Sequence, residues 1–286
     1  MEKTFETPAP VRLRVELPSG DLRLRASAST ITTVRLTPRG RGGEELAERF
    51  VVEQRGDEIL VQAPKARDSV LGWGSKGSVD VEVELPERSA ADVRAGSGDL
   101  VATGVLGRVA IGTGSGDVSL DELAGGEVRT GSGDIETRTV RGPLVARTGS
   151  GDIAVHTANA DLDLNSGSGD LVLGRAEGRV KAKTGSGDVT IAASVADLDV
   201  LTGTGDVHLG GIHGGEVKAR TGTGDVTLGV VTGVPAYIDL NTVTGDVKVD
   251  LEESSAPEDA EAATTSIAVQ SGSGDIRVRR AQPTLA

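Results

Sequence analysis

The chain has 286 residues, with 30 Lys and Arg against 43 Asp and Glu, a formal net charge of −13. An acidic surface is repelled by phosphates and gains no counterion release from them, which argues against nucleic acid and against an anionic membrane as partners. Cysteine is absent, excluding disulfides, a thiolate nucleophile and Cys-ligated zinc; glycine, at 41 residues, is far above the ordinary ~7%.

The start, Met1-Glu2-Lys3-Thr4-Phe5-Glu6-Thr7-Pro8, has no apolar h-region, and no later stretch approaches the roughly 18 apolar residues of a membrane span. A cytoplasmic location is the expectation. Up to about residue 90 the pattern is irregular. It holds Ser19-Gly20-Asp21-Leu22-Arg23-Leu24, strand-like runs at 31–36 and 58–62, a short helix at Glu44 to Phe50, and the alternating run Val79 to Leu85. Residues 1–90 therefore read as an N-terminal β-rich cap with one short helix, covering a strand edge that would otherwise be open to other chains.

From residue 91 a pentapeptide of the form hydroxyl-Gly-hydroxyl-Gly-Asp takes over, degenerate only in its first two positions. Its aspartates are Asp99, Asp117, Asp134, Asp152, Asp170, Asp188, Asp206, Asp225, Asp246 and Asp275, mostly 17 to 19 residues apart. A fixed short period marks a stacked repeat architecture. The residue after each Asp is branched and aliphatic, as in Leu100, Val118, Ile135, Ile153 and Val189, and a second apolar column lies two residues further on, broken by Thr137. Before each corner stands a period-2 run such as Val180-Lys181-Ala182-Lys183-Thr184, which is a strand. A coil of about 18 residues cannot bury some six inward side chains alone, but stacked coils share one aliphatic core. The fold class is thus all-β: a single-stranded parallel β-solenoid of about ten coils over residues 91–282, with a tail at 283–286.

Seven residues before the repeat Asp, an outward column reads Asp163, Lys181, Asp199, Lys218 and Asp239. In a parallel stack this would be a ladder of alternating charge. The 29-residue gap between Asp246 and Asp275 contains Glu252, Glu253, Glu258, Asp259 and Glu261 and reads as a solvated acidic loop, 251–264. One more coil follows, with Arg277, Arg279 and Arg280 expected to blunt the last edge.

The aspartate column invites comparison with the calcium β-roll, whose repeat is Gly-Gly-x-Gly-x-Asp at half this period. Here Gly and Asp are adjacent and the other half of each coil has no matching Asp. The reading is therefore structural: glycine supplies positive φ at the corner, and Asp caps its own turn through backbone N–H groups. Arg94, Arg129, Arg147, Lys183 and Arg220, five residues before the Asp, are placed to offset the repulsion along the ladder. Inward Thr113, Thr130, Thr148, Thr184, Thr202, Thr221 and Thr242 read as hydroxyls that satisfy the corner backbone rather than as an ice-binding face. His156, His208 and His213 fall in unrelated columns, and Arg55-Gly56-Asp57 reads as a chance match to an integrin-binding tripeptide. No catalytic residue, cofactor or metal site is expected, and a ligand site is not specified.

Tandem Gly-Ser-Gly-Asp-Ile/Val units on this period, after a divergent β region opening on Phe5-Glu6-Thr7-Pro8, resemble a bacterial Gly-Ser-Gly-Asp repeat family of unknown function known as "putative adhesin". The resemblance covers nearly the whole chain and implies a β-strand-repeat solenoid; it supplies no catalytic or binding residues. The functional expectation is a non-enzymatic scaffold or interaction protein that binds another protein, with end-to-end self-association a further option. The alternatives are a surface adhesin and, more distantly, a solenoid enzyme acting on glycans.

Overall fold

The computed structural model describes residues 1–64, 77–251 and 265–282. Trp73, the acidic run Glu252 to Glu261 and the tail at 283–286 lie outside the described residues. The chain divides into two compact units, Met1–Arg141 and Gly142–Ala286. Each is an all-β solenoid in which successive repeat strands alternate between two sheets and pair in parallel with the strand one repeat away.

In the first unit one sheet runs, neighbour by neighbour, Glu2–Glu6, Ile31–Arg39, Ser78–Pro86, Leu22–Ser27, Leu100–Leu106, Val118–Leu123, Ile135–Val140. The other runs Val51–Arg55, Glu58–Gln62, Arg12–Ser19, Ala90–Ser97, Val109–Thr113, Gly126–Thr130. The repeat register reaches back before residue 90, since Arg12–Ser19 and Leu22–Ser27 pair in parallel with Ala90–Ser97 and Leu100–Leu106. Outside that coil the strand direction reverses. Ile31–Arg39 is antiparallel to both Glu2–Glu6 and Ser78–Pro86, and Val51–Arg55 is antiparallel to Glu58–Gln62. The short helix Gly43–Glu48 turns its buried Gly43 and Ala47 inward and lies against Ile31–Arg39 and Ser78–Pro86.

The second unit is more regular. Leu171 stands beside Val189 and Val189 beside Val207, while on the other sheet Val180 stands beside Leu198. The period-2 pattern decides the burial: Val180, Ala182 and Thr184 are buried, Lys181 is exposed and Lys183 half-buried. Each aliphatic side chain so covered is worth about 1.5 to 3 kcal/mol relative to exposure, a gain realised only when coils lie on both sides.

Coil order does not follow chain order at the end of this unit. Val226–Val231 pairs with Ile276–Ala281, which pairs in turn with Val247–Asp250. On the second sheet Glu216–Thr223 pairs with Thr265–Ser273, and that strand with Ala236–Thr244. The last coil in sequence is therefore inserted beneath the one before it. Arg277, Arg279 and Arg280 do not form the final edge, contrary to the sequence expectation; Ala236–Thr244 and Val247–Asp250 do. The inserted coil is the more buried of the two, and its Ile267, Val269, Ile276 and Val278 are at most 1% exposed. The charge ladder is corrected by the same insertion. Asp163, Lys181, Asp199 and Lys218 are successive neighbours, but Ala268 separates Lys218 from Asp239.

Candidate functional site

The repeat aspartates sit at corners where one strand ends and the next begins, and along the stack the carboxylate of one coil reaches the backbone of the next. In the first unit Asp99 Oδ1 accepts from the Asp117 N–H (3.2 Å) and Asp117 Oδ1 from the Asp134 N–H (2.9 Å). In the second, Asp152, Asp170, Asp188, Asp206 and Asp225 accept in turn from the N–H of Asp170, Asp188, Asp206, Asp225 and Asp275, each at 2.8 Å. Asp275 completes the series by accepting from the Asp246 N–H at 3.0 Å. The aspartate thus caps the next coil's corner rather than its own. At the corner this N–H takes a side-chain oxygen of the adjacent coil as its acceptor, and a short carboxylate supplies it.

The glycine before Asp follows the sequence reading at some corners only. Gly98, Gly205, Gly224, Gly245 and Gly274 have positive φ, from 118° to 148°. Gly116 does not need one, yet a Cβ there would lie 1.8 Å from the carbonyl oxygen of Gly98 in the neighbouring coil. Close stacking of corners, more than left-handed backbone, is what excludes a side chain. The inward hydroxyls complete the corner: Thr184 Oγ1 donates to Gly169 O (2.9 Å), Thr202 Oγ1 to Gly187 O (2.9 Å), and Thr221 Oγ1 to Gly205 O (3.0 Å).

Sequence reasoning missed two parts of this network. Asp80 starts the ladder, its Oδ1 accepting from the Asp21 N–H at 3.2 Å and its Oδ2 from Arg39 Nε at 2.8 Å. Partial burial pushes the Asp80 carboxyl up, but the bonds from Arg39 and Asp21 outweigh it and hold it below the ordinary carboxylate range. Its local sequence, Ser78-Val79-Asp80, lacks the glycine that signalled the other copies. At a second corner Asp161 Oδ1 accepts from the Arg179 N–H and Asp197 Oδ1 from the Glu216 N–H, both at 2.9 Å. The available signal was that Asp161 and Asp197 are two periods apart.

The basic column does not neutralise the ladder as expected. Arg147 reaches Asp163 at 3.5 Å, Arg220 reaches Asp199 at 4.0 Å, and Arg129 pairs with Glu127. These carboxylates belong to the outward face of the same sheet, so Arg147 and Arg220 knit neighbouring strands there while Arg129 pairs within its own strand. Arg55-Gly56-Asp57 forms the tight turn between Val51–Arg55 and Glu58–Gln62, with Gly56 at φ 64° and Arg55 paired to Glu53. Among the described residues no group of three or more His, Asp or Glu is placed to hold a metal ion. A shallow cleft of about 400 Å³ lies on the outward face of the second unit, lined by Leu201, Arg220, Gly222, Asn241, Val243 and Gln270. Another, of about 420 Å³ in the first unit, is bordered by Glu16, Pro18, Pro64 and Arg94. Among the described residues no helix is long and apolar enough to cross a membrane.

Two parallel sheets, corner glycines and a carboxylate ladder define a β-solenoid repeat protein. The chain belongs to the Toastrack DUF4097 family, whose model matches residues 141–284. No curated protein matches it. Solved structures similar to it include a "putative adhesin" of Bacteroides fragilis, with 11% identity, a TM-score of 0.41, and 97% of this chain and 96% of that one covered. A "putative lipid binding protein" of Parabacteroides distasonis has 13% identity and a TM-score of 0.37, with 96% of each chain covered.

Proposed function

We propose that this chain is a non-enzymatic interaction module, a single-stranded β-solenoid of about ten coils of about 18 residues that binds another protein through its outward faces. The observation that carries the reading is the outward face of the second unit. Parallel pairing sets Asp163, Lys181, Asp199 and Lys218 side by side in one column and Asn165, Lys183, Leu201 and Arg220 side by side in the next. Mixed charge on a regular parallel sheet suits a polar protein surface, where complementary charges set register and encounter rate. Clefts that are shallow and open, and histidines in separate repeat columns, give a reaction centre little to build on.

The test is affinity capture from the native host with the full chain, beside a K181E/K218E variant that keeps the same circular dichroism. A protein bound saturably by the first and lost from the second supports the reading. Turnover of a glycan, or glycan binding mapped to residues 91–280, overturns it. A cytoplasmic site of action is part of the proposal, and cell fractionation tests it, since recovery on the outer surface would favour the adhesin alternative.

A further inference from the structure

Among the described residues, the outermost coil of the second unit has a neighbour on one side only. In one repeat column Val226 and Leu228 are 0% exposed and Ile276 and Val278 at most 1%, but the equivalent Val247 and Val249 are 47% and 46% exposed. On the companion strand Ile238 and Leu240 are half-buried, while Tyr237 and Val243 are 69% and 83% exposed. Apolar side chains thus meet two strand edges that have no strand beside them among the described residues. Natural edges are commonly blunted by proline, a bulge or several lysines. Here Ala236–Thr244 and Val247–Asp250 contain no proline and a single lysine.

The order of charges selects an occupant. In Val247-Lys248-Val249-Asp250 a two-fold axis through Val249 sets Lys248 opposite Asp250 of a second copy, and the reverse, with Val249 opposite itself. On the companion strand an axis through Leu240 sets Asp239 opposite Asn241, Ile238 opposite Thr242 and Tyr237 opposite Val243. No like charges meet on either strand. One axis serves both, because Leu240 and Val249 are each the second inward residue from the Thr244-Gly245-Asp246 corner and so face one another across the coil. We propose that this end coil is a homodimer interface, in which a second copy adds one antiparallel strand to each sheet through this axis. Such an isologous contact closes on itself. It uses none of the outward residues Asp163 to Lys218 and Asn165 to Arg220 on which the protein-binding reading rests, only Asp239 and Asn241 further along the same columns, so either can fail alone.

The experiment is sedimentation velocity on the purified full chain between about 1 and 100 µM, a range that brackets ordinary homodimer affinities. A dimer is expected. K248E sets two carboxylates opposite each other twice over and should weaken it roughly tenfold or more. The swap K248D/D250K restores both the cross-copy pairs and the 3.2 Å Lys248–Asp250 pair within the strand, and should restore the dimer. Because the chain has no cysteine, V249C on the axis should oxidise to a disulfide-linked dimer, whereas V101C, at an outward exposed site, should not. A monomer at every concentration overturns the proposal, including one whose Val247–Asp250 amides resist hydrogen exchange because the chain covers its own edge. Species growing beyond two copies, as head-to-tail contacts would give, overturn it as well.

Discussion

In the first unit the parallel register is stopped by strands that run the other way, with a short helix beside them; at the end coil of the second unit it stops with no further strand among the described residues. The difference shows in burial. Val34, Leu36 and Val52 in the reversing strands are at most 3% exposed, against nearly half for Val247 and Val249. Charge differs too, since Arg35 bridges Glu2 and Glu82 across three neighbouring strands at 3.0 Å each, tying the reversing strands together. A repeat stack needs cover on every coil face, and among the described residues this chain provides it from its own sequence at only one of these two places.

The sharpest way to break that comparison is to place a charge in the same column at both depths. Val226→Asp should cost several kcal/mol, because an aspartate there is fully enclosed. Val247→Asp should cost less than about 1 kcal/mol, as expected of a surface site, when urea melts are run at low protein concentration. Equal losses would mean that the end coil is covered after all. Next in size is a steric contrast between two glycines of the first unit. Gly116→Ala drives a Cβ into the Gly98 carbonyl and should cost about 1 to 3 kcal/mol, while Gly112→Ala enters open space and should be neutral or slightly stabilising. Thermal melts of the pair that coincide would refute the close-stacking account of the corners.

The ladder predicts a smaller asymmetry. Asp188→Ala takes the acceptor from the Asp206 N–H and should cost about 1 kcal/mol. Asp246→Ala, in the outermost coil, removes a carboxylate with no coil beyond it to cap and should cost a few tenths at most, as surface substitutions do. Asp188→Asn should retain most of the stability, since the amide oxygen can still accept. The smallest effect is on pH dependence at the start of the first unit's ladder. The folded Asp80 carboxyl binds its proton less readily than the unfolded one, so its contribution is present above the unfolded pKa and is lost as pH falls through the folded value. Asp80→Asn should therefore flatten the acid side of the stability profile below about pH 4. An unchanged acid slope would show that Arg39 and the Asp21 N–H do not act through this charge.

What the sequence determined by itself was the coil. Period-2 alternation before each corner, the aliphatic residue after each Asp, and the inward threonines each follow from local geometry, and side chains such as Val180, Ala182 and Val189 lie where that geometry puts them. Tertiary structure decided which coil touches which. Any coil with this register can pair with either edge of any other, so spacing alone could not reveal that Thr265–Ser273 and Ile276–Ala281 slip beneath Ala236–Thr244 and Val247–Asp250. The only trace was the 29-residue gap, long enough for the chain to pass the intervening coil and return. The direction of the aspartate bonds was hidden for a related reason. A carboxylate at a corner can reach its own turn or the one stacked beside it, and only the placement of the neighbouring coil makes the Asp206 N–H the partner of Asp188. Asp80 joins the same ladder without the glycine motif because a strand from elsewhere in the chain brings it beside Asp21, a proximity set by packing rather than by sequence.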